Sequence, residues 1–269
     1  MSLIDPSAHV DAGADLATGV TVGPGAIIEQ GVIVGRGSRI GPYAVLMKGT
    51  RLGEQVRVEA GAALGGAPQD LKFEGGDSFV TIGDRTIIRE YVTVHRCVRP
   101  GGITRVGADC MLMATSHVAH ECVVGDGVMV ANGVTLAGYV QVGDRAFLSG
   151  NVVVHQFVRV GRLAMVGGGS AVRQDIVPFC LADGHPARPC GLNGVGLRRA
   201  DFSEAEVGVL KAAYRVLFGA GRPLAEALAQ LDEMARNRLA AIAELADFIR
   251  ASDRGIARPR GVDDSAPSG

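Results

Sequence analysis

Residues 106–171 run VGADCM LMATSH VAHECV VGDGVM VANGVT LAGYVQ VGDRAF LSGNVV VHQFVR VGRLAM VGGGSA, and every block of six opens on Val or Leu. An α-helix cannot hold a six-residue period on one face, and a lone strand alternates with period two. The pattern is therefore the hexapeptide signature of a parallel β-helix. Working outward, Val172 closes the run above. Below it the slot holds Ile4, Val10, Leu16, Val22, Ile28, Val34, Ile40, Leu46, Leu52, Val58 and Leu64, then Ile82, Ile88 and Val94. Three hexads close a triangular coil of 18 residues with the slot residue pointing inward, and stacked coils bury a continuous apolar column. Gly follows the slot at Gly23, Gly35, Gly41, Gly53, Gly83, Gly107, Gly125, Gly143, Gly161 and Gly167. Such placement implies a corner needing backbone freedom that other residues lack.

Two excursions break the period. APQDLKFEGGDSF, near 67–79, leaves the repeat and rejoins it in phase at Ile82; CVRPGGITR, near 97–105, is the second. Loops on a rigid scaffold are favoured places for binding groups. Gln69, Asp70 and Lys72 supply an amide, a carboxylate and an ammonium within four residues.

The chain divides into a β-helix over 1–190 and a helical domain over 191–254, with 255–269 a mobile tail. After Val172 a Pro- and Gly-containing connector leads to helical sequence, where Ser203 and Glu206 form a capping-box pattern. Gly219 and Gly221 stop that helix, and Pro223 opens one or two more amphipathic helices. This unit would cap the column, whose open end otherwise exposes strand edges.

With 269 residues, 47% hydrophobic content and a formal net charge of −1, the composition argues against a nucleic-acid-binding surface. No apolar run approaches the roughly 18 residues of a membrane span, and MSLIDPSAHV lacks signal-peptide features, so the expectation is a cytoplasmic protein. The five cysteines show no C-x-x-C pair and suggest neither a disulfide framework nor a structural zinc site.

Four of the six histidines, His95, His117, His120 and His155, fall between Val94 and Val160, and none takes the inward slot. Their rings are expected on the outer surface. The coil length adds a sharper point. Residues 18 apart stack, so His120, Gly138 and Gln156 form one column with steps of about 4.8 Å, and His155 stands beside its top. A neutral imidazole at His120 can remove a hydroxyl proton, and the Gly138 N–H can stabilise an oxyanion with no side chain in the way.

On these residues the chain resembles the acyl-carrier-protein-dependent UDP-N-acetylglucosamine O-acyltransferases, which begin lipid A synthesis. The matching stretches are QDLK at 69–72, IGDRTIIREYVTVHR at 82–96, HVAHEC at 117–122, TLAG at 135–138, VHQF at 154–157, VGG at 166–168 and GLNGVGLRR at 191–199. The resemblance covers nearly the whole chain and implies a left-handed coil with a C-terminal α-helical domain. It also implies a homotrimer with sites at subunit boundaries, an acyl carrier protein bearing a 3-hydroxyacyl thioester as donor, and no metal or organic cofactor. It makes His120 the general base and Gly138 the oxyanion donor. It assigns Gln69, Asp70, Lys72, His95, His117, His155 and Gln156 to the nucleotide-sugar and acyl site, Asn193 and Arg199 to the nucleotide, and Gly168 to an acyl-chain ruler. Tyr139 and Ala200 depart from the pattern, where well-studied members carry a histidine and a second arginine. The acceptor is thus the sugar 3-hydroxyl or, in an N-acylating variant, a 3-amine. A γ-type carbonic anhydrase and a non-catalytic scaffold are the readings from other classes.

Overall fold

The computed structural model describes residues 3–219, 222–237 and 239–259, so Gly221 and the end of the expected tail lie outside the described residues. Strands of mostly two residues pair in parallel with the strand one coil on, forming three sheets that are the faces of a prism. The first face carries Met111–Leu112, Met129–Val130, Phe147–Leu148 and Met165–Val166. The second carries His117–Val118, Thr135–Leu136 and Val153–Val154. The third carries Val123–Val124, Gln141–Val142 and Arg159–Val160. Partners are 18 residues apart in this run, whereas Arg57 pairs with Ile87 and Ile87 with Met111. The two excursions thus add whole multiples of six residues, which is why the phase survives them. The coil is left-handed.

The slot residues form the core: Leu46, Leu64, Ile88, Leu112, Leu136 and Leu148 are all 0% exposed. Full burial of such a side chain contributes about 1.5–3 kcal/mol. A second residue of the hexad, two before the slot, is buried as well. It is small or β-branched, as at Val20, Ala26, Thr86, Cys110, Val128 and Ser170. At the open base Ile4 is 42% exposed, because no coil lies beneath it.

The glycines after the slot have a different cause from the one expected. Gly35, Gly83, Gly125 and Gly161 do not have positive φ; a Cβ at any of them would overlap backbone or side-chain atoms of the next coil. Close stacking excludes a side chain there. The left-handed conformation falls two residues later, at Gly25, Tyr43, Gly127 and Tyr139 among others, and most of these corners tolerate a residue other than glycine.

Above the last hexad, strand Cys180–Gly184 pairs in parallel with Met165–Val166 and then turns back in an antiparallel hairpin with Ala187–Leu192. Among the described residues four helices follow: α1 (Gly194–Arg199), α2 (Glu204–Phe218), α3 (Leu224–Asn237) and α4 (Ala240–Arg250). The Ser203–Glu206 capping box forms at α2. Arg162 holds Glu244 of α4 with two nitrogens, and Arg159 donates to the carbonyls of Phe248 and Ala251. The segment expected to begin a tail at Gly255 packs instead: Ile256 bridges Asp175, and Ile256 and Ala257 are buried.

Candidate active site

Both excursions leave the prism at the corner between the second and third faces, after Ala63–Gly66 and after Thr93–His95. They return at Phe79 and Ile103, so the second is shorter than the sequence suggested. Each fastens the other. Arg96 donates to the Gly76 carbonyl (2.9 Å) and covers Phe73, Gly101 N donates to the Asp77 carbonyl (2.7 Å), and Ser78 donates to the Cys97 carbonyl (2.6 Å). Asp70 is turned back by hydrogen bonds from the backbone of Lys72 and Phe73, while Gln69 and Lys72 are exposed.

His120, Gly138 and Gln156 stand on this same corner, as the 18-residue spacing requires. Tyr139 N donates to the His120 carbonyl (3.0 Å) and Phe157 N to that of Gly138 (3.2 Å). The imidazole lies against Gly138 so closely that a Cβ there would sit 2.5 Å from its Cε1. Only glycine fits over that ring.

One expectation fails: His120 is not on the surface but 4% exposed. Tyr139 meets its ring edge-on at 5.4 Å, and Phe157 stacks on Tyr139 at 4.7 Å. Glu121, which sequence reasoning missed, covers the other side. Its Oε2 lies 2.5 Å from His120 Nδ1, and its Oε1 accepts the backbone N–H groups of Val98 (2.9 Å) and Arg99 (3.2 Å). Thr104 Oγ1 accepts the Glu121 N–H at 3.0 Å. The second excursion therefore holds the carboxylate that holds the histidine. With Nδ1 committed to Glu121, Nε2 remains for chemistry.

The Gly138 N–H is open. At the corner between the third and first faces three of the equivalent donors are taken by an aspartate of the next coil: Glu54 N by Asp84, Ala108 N by Asp126 and Asp126 N by Asp144, at 2.8–2.9 Å. Above Gly138 stands Gln156, and the glycine N–H makes no hydrogen bond within the described residues.

His95 and His117 lie edge to face at 4.8 Å. His117 Nδ1 bonds Thr93 Oγ1 at 2.7 Å, and burial, with lesser contributions from His95 and His120, lowers its pKa to about 4. Burial likewise lowers that of His95. Neither therefore adds a positive charge beside His120 at neutral pH. His155 and Gln156 are exposed at the top of the column.

Other expected residues lie elsewhere. Arg199, in α1, is tied to Arg145 at the corner between the third and first faces. Asn193 caps α1 through Gly196 N and donates to the Leu163 carbonyl, so both its polar atoms are engaged. Gly168 is on the remaining corner, where a side chain would begin 3.4 Å from the Gly150 carbonyl oxygen and have room beyond. A single chain thus spreads the candidate residues over three edges. Among the described residues no three His, Cys, Asp or Glu side chains group as a metal site, and no helix is long and apolar enough to cross a membrane.

Residues 175–257 match the family described as UDP N-acetylglucosamine O-acyltransferase, domain 2, and residues 103–138 match the bacterial transferase hexapeptide family. A relative from Janthinobacterium sp. (strain Marseille), named acyl-(acyl-carrier-protein)–UDP-N-acetylglucosamine O-acyltransferase, is 43% identical over 96% of this chain and all of its own length. The chain belongs to the UDP-N-acetylglucosamine O-acyltransferase family. Another O-acyltransferase of the same name, from Alkalilimnicola ehrlichii, is 45% identical over 96% of the chain and its whole length. Francisella novicida UDP-N-acetylglucosamine acyltransferase has a solved structure with a TM-score of 0.94 at 33% identity, covering 99% of this chain and all of that one.

Proposed function

We propose that this member of the O-acyltransferase family transfers an (R)-3-hydroxyacyl chain from acyl carrier protein to the 3-position of UDP-N-acetylglucosamine, the first step of lipid A biosynthesis. The observation that carries the chemistry is the His120–Glu121 pair with its ring against Gly138, whose N–H is open. His120 Nε2 takes the proton of the sugar 3-hydroxyl as that oxygen attacks the thioester carbonyl. The Gly138 N–H receives the developing oxyanion. Collapse expels the carrier's thiolate, which takes the proton back from His120; one ester forms, one thioester breaks, and a thiol leaves. Glu121 stabilises the transient imidazolium and fixes its orientation.

The distribution of residues over three edges supports a homotrimer. The corner bearing His120 would face the first face of a neighbour, which carries Gly168 at one edge and Arg199 at the other. Closed head-to-tail contacts of this kind are what a threefold ring supplies. The outward residues of that face, Ile87, Met111, Met129, Phe147 and Met165, make an apolar stripe suited to an acyl chain. Asn193 acts in this reading by fixing α1, and so Arg199, in place.

The test is mass spectrometry of products formed from 3-hydroxyacyl carrier proteins with UDP-N-acetylglucosamine and its 3-amino analogue as competing acceptors. An O-acylated product from the first acceptor is expected. Exclusive N-acylation would transfer the assignment to the amino sugar, and no acyl product with either would refute it.

A further inference from the structure

At the corner between the third and first faces, Arg85, Asp109, Gly127, Arg145 and Leu163 stack one per coil, all with positive φ. Low in this stack Arg85 grips Asp109 with two nitrogens, at 2.7 and 2.6 Å. Higher up the pattern changes. Gly127 has no side chain, and a Cβ there would approach Arg145 Cγ to 3.2 Å, so the glycine makes room for the arginine without offering it a carboxylate. Among the described residues Arg145 forms no ion pair; its Nη2 donates to the Arg199 carbonyl at 2.8 Å. Arg145 and Arg199 then line one pocket of about 320 Å³, whose other walls include Met129, Phe147 and Met165.

Two guanidinium groups that open onto one pocket with apolar walls make a setting that favours an anion. An arginine fork matches phosphate oxygens in geometry as well as in charge. Capping the last carbonyl of α1 uses one of Arg145's five N–H donors and leaves the rest for a ligand. We propose that Arg145 binds the diphosphate of the nucleotide sugar together with Arg199, as a second cation supplied by the coil. This rests on the acyltransferase reading above and adds a specificity-determining residue to it.

The experiment compares UDP and uridine binding to the wild type, Arg145→Gln, Arg145→Lys and Arg199→Ala by calorimetry or ligand-observed NMR, with steady-state kinetics on the same proteins. Loss of a charge-assisted contact should weaken UDP about tenfold or more in Arg145→Gln, with uridine unchanged and Arg145→Lys in between. KM for the UDP-sugar should rise by a similar factor, with kcat and the KM for acyl donor little changed. Unchanged UDP affinity, or equal losses for UDP and uridine accompanied by a lower Tm, would make Arg145 a helix cap only and overturn the inference. A wild type that binds no UDP would instead overturn the acyltransferase reading, and this inference with it.

Discussion

Two corners of the same prism are built on one backbone and do opposite things with it. Between the third and first faces, aspartates Asp84, Asp126 and Asp144 each cap an N–H of the coil below. Between the second and third faces the corresponding positions hold His120, Gly138 and Gln156, the N–H of Gly138 is left open, and an imidazole occupies the space a side chain would take. The difference teaches how a repeat fold acquires chemistry. In the proposed reaction, a corner serves chemistry where its backbone donor is left uncapped and a base is placed beside it. Higher on the same edge as the aspartates, Arg145 and Arg199 line one pocket and add positive charge.

The largest effect should come from His120→Ala. A positioned general base contributes about 10²–10⁴, so kcat should fall by that factor with fold and UDP affinity retained; near-wild-type turnover would erase the distinction between the corners. Glu121→Gln should cost less, on the order of 10–10² in kcat, because the base survives but loses the anion that orients it and stabilises its charged form. No change would mean that the loop bearing Val98 and Arg99 serves stability alone. At the aspartate-capped corner, Asp144→Ala should leave kcat unchanged and lower stability by about 1 kcal/mol, the worth of one hydrogen bond, measured by denaturant unfolding.

A pH effect belongs to the open corner and shows only on acidification. The folded His117 titrates at about 4, below its unfolded value near 6.5, so the unfolded chain binds more protons between those values. Stability from this group is complete above pH 6.5 and declines as pH falls toward 4. His117→Gln should flatten the fall of Tm across that window; an identical slope in both proteins would contradict the assignment of the depressed pKa.

The coil was legible because stacking forces its period: a slot that must be apolar every six residues leaves a mark from Ile4 to Val172. Stacking also made the column of His120, Gly138 and Gln156 readable, since register fixes who stands above whom. The reason for the glycines was not, because close approach and positive φ both select glycine, and only geometry separates them. The hairpin at Cys180–Leu192 and the short helix α1 have no period to announce them. Glu121 was missed because what makes it matter, the backbone of Val98 and Arg99, comes from over twenty residues upstream and rises beside it only when the excursion folds. Arg145 was hidden in the same way, by a contact with Arg199 more than fifty residues on.

In the proposed trimer, one site draws its base from the open corner of one chain and its anion-binding groups from the other corner of a neighbour. Co-assembly of His120→Ala chains with Arg199→Ala chains tests this most directly, at a UDP-sugar concentration where each variant alone is at background. No chain in the mixture has both groups intact, yet in randomly assembled trimers about one boundary in four pairs an intact His120 with an intact Arg199. Recovery to about a quarter of wild-type activity is the expected result; a mixture no more active than its parents would contradict a shared site.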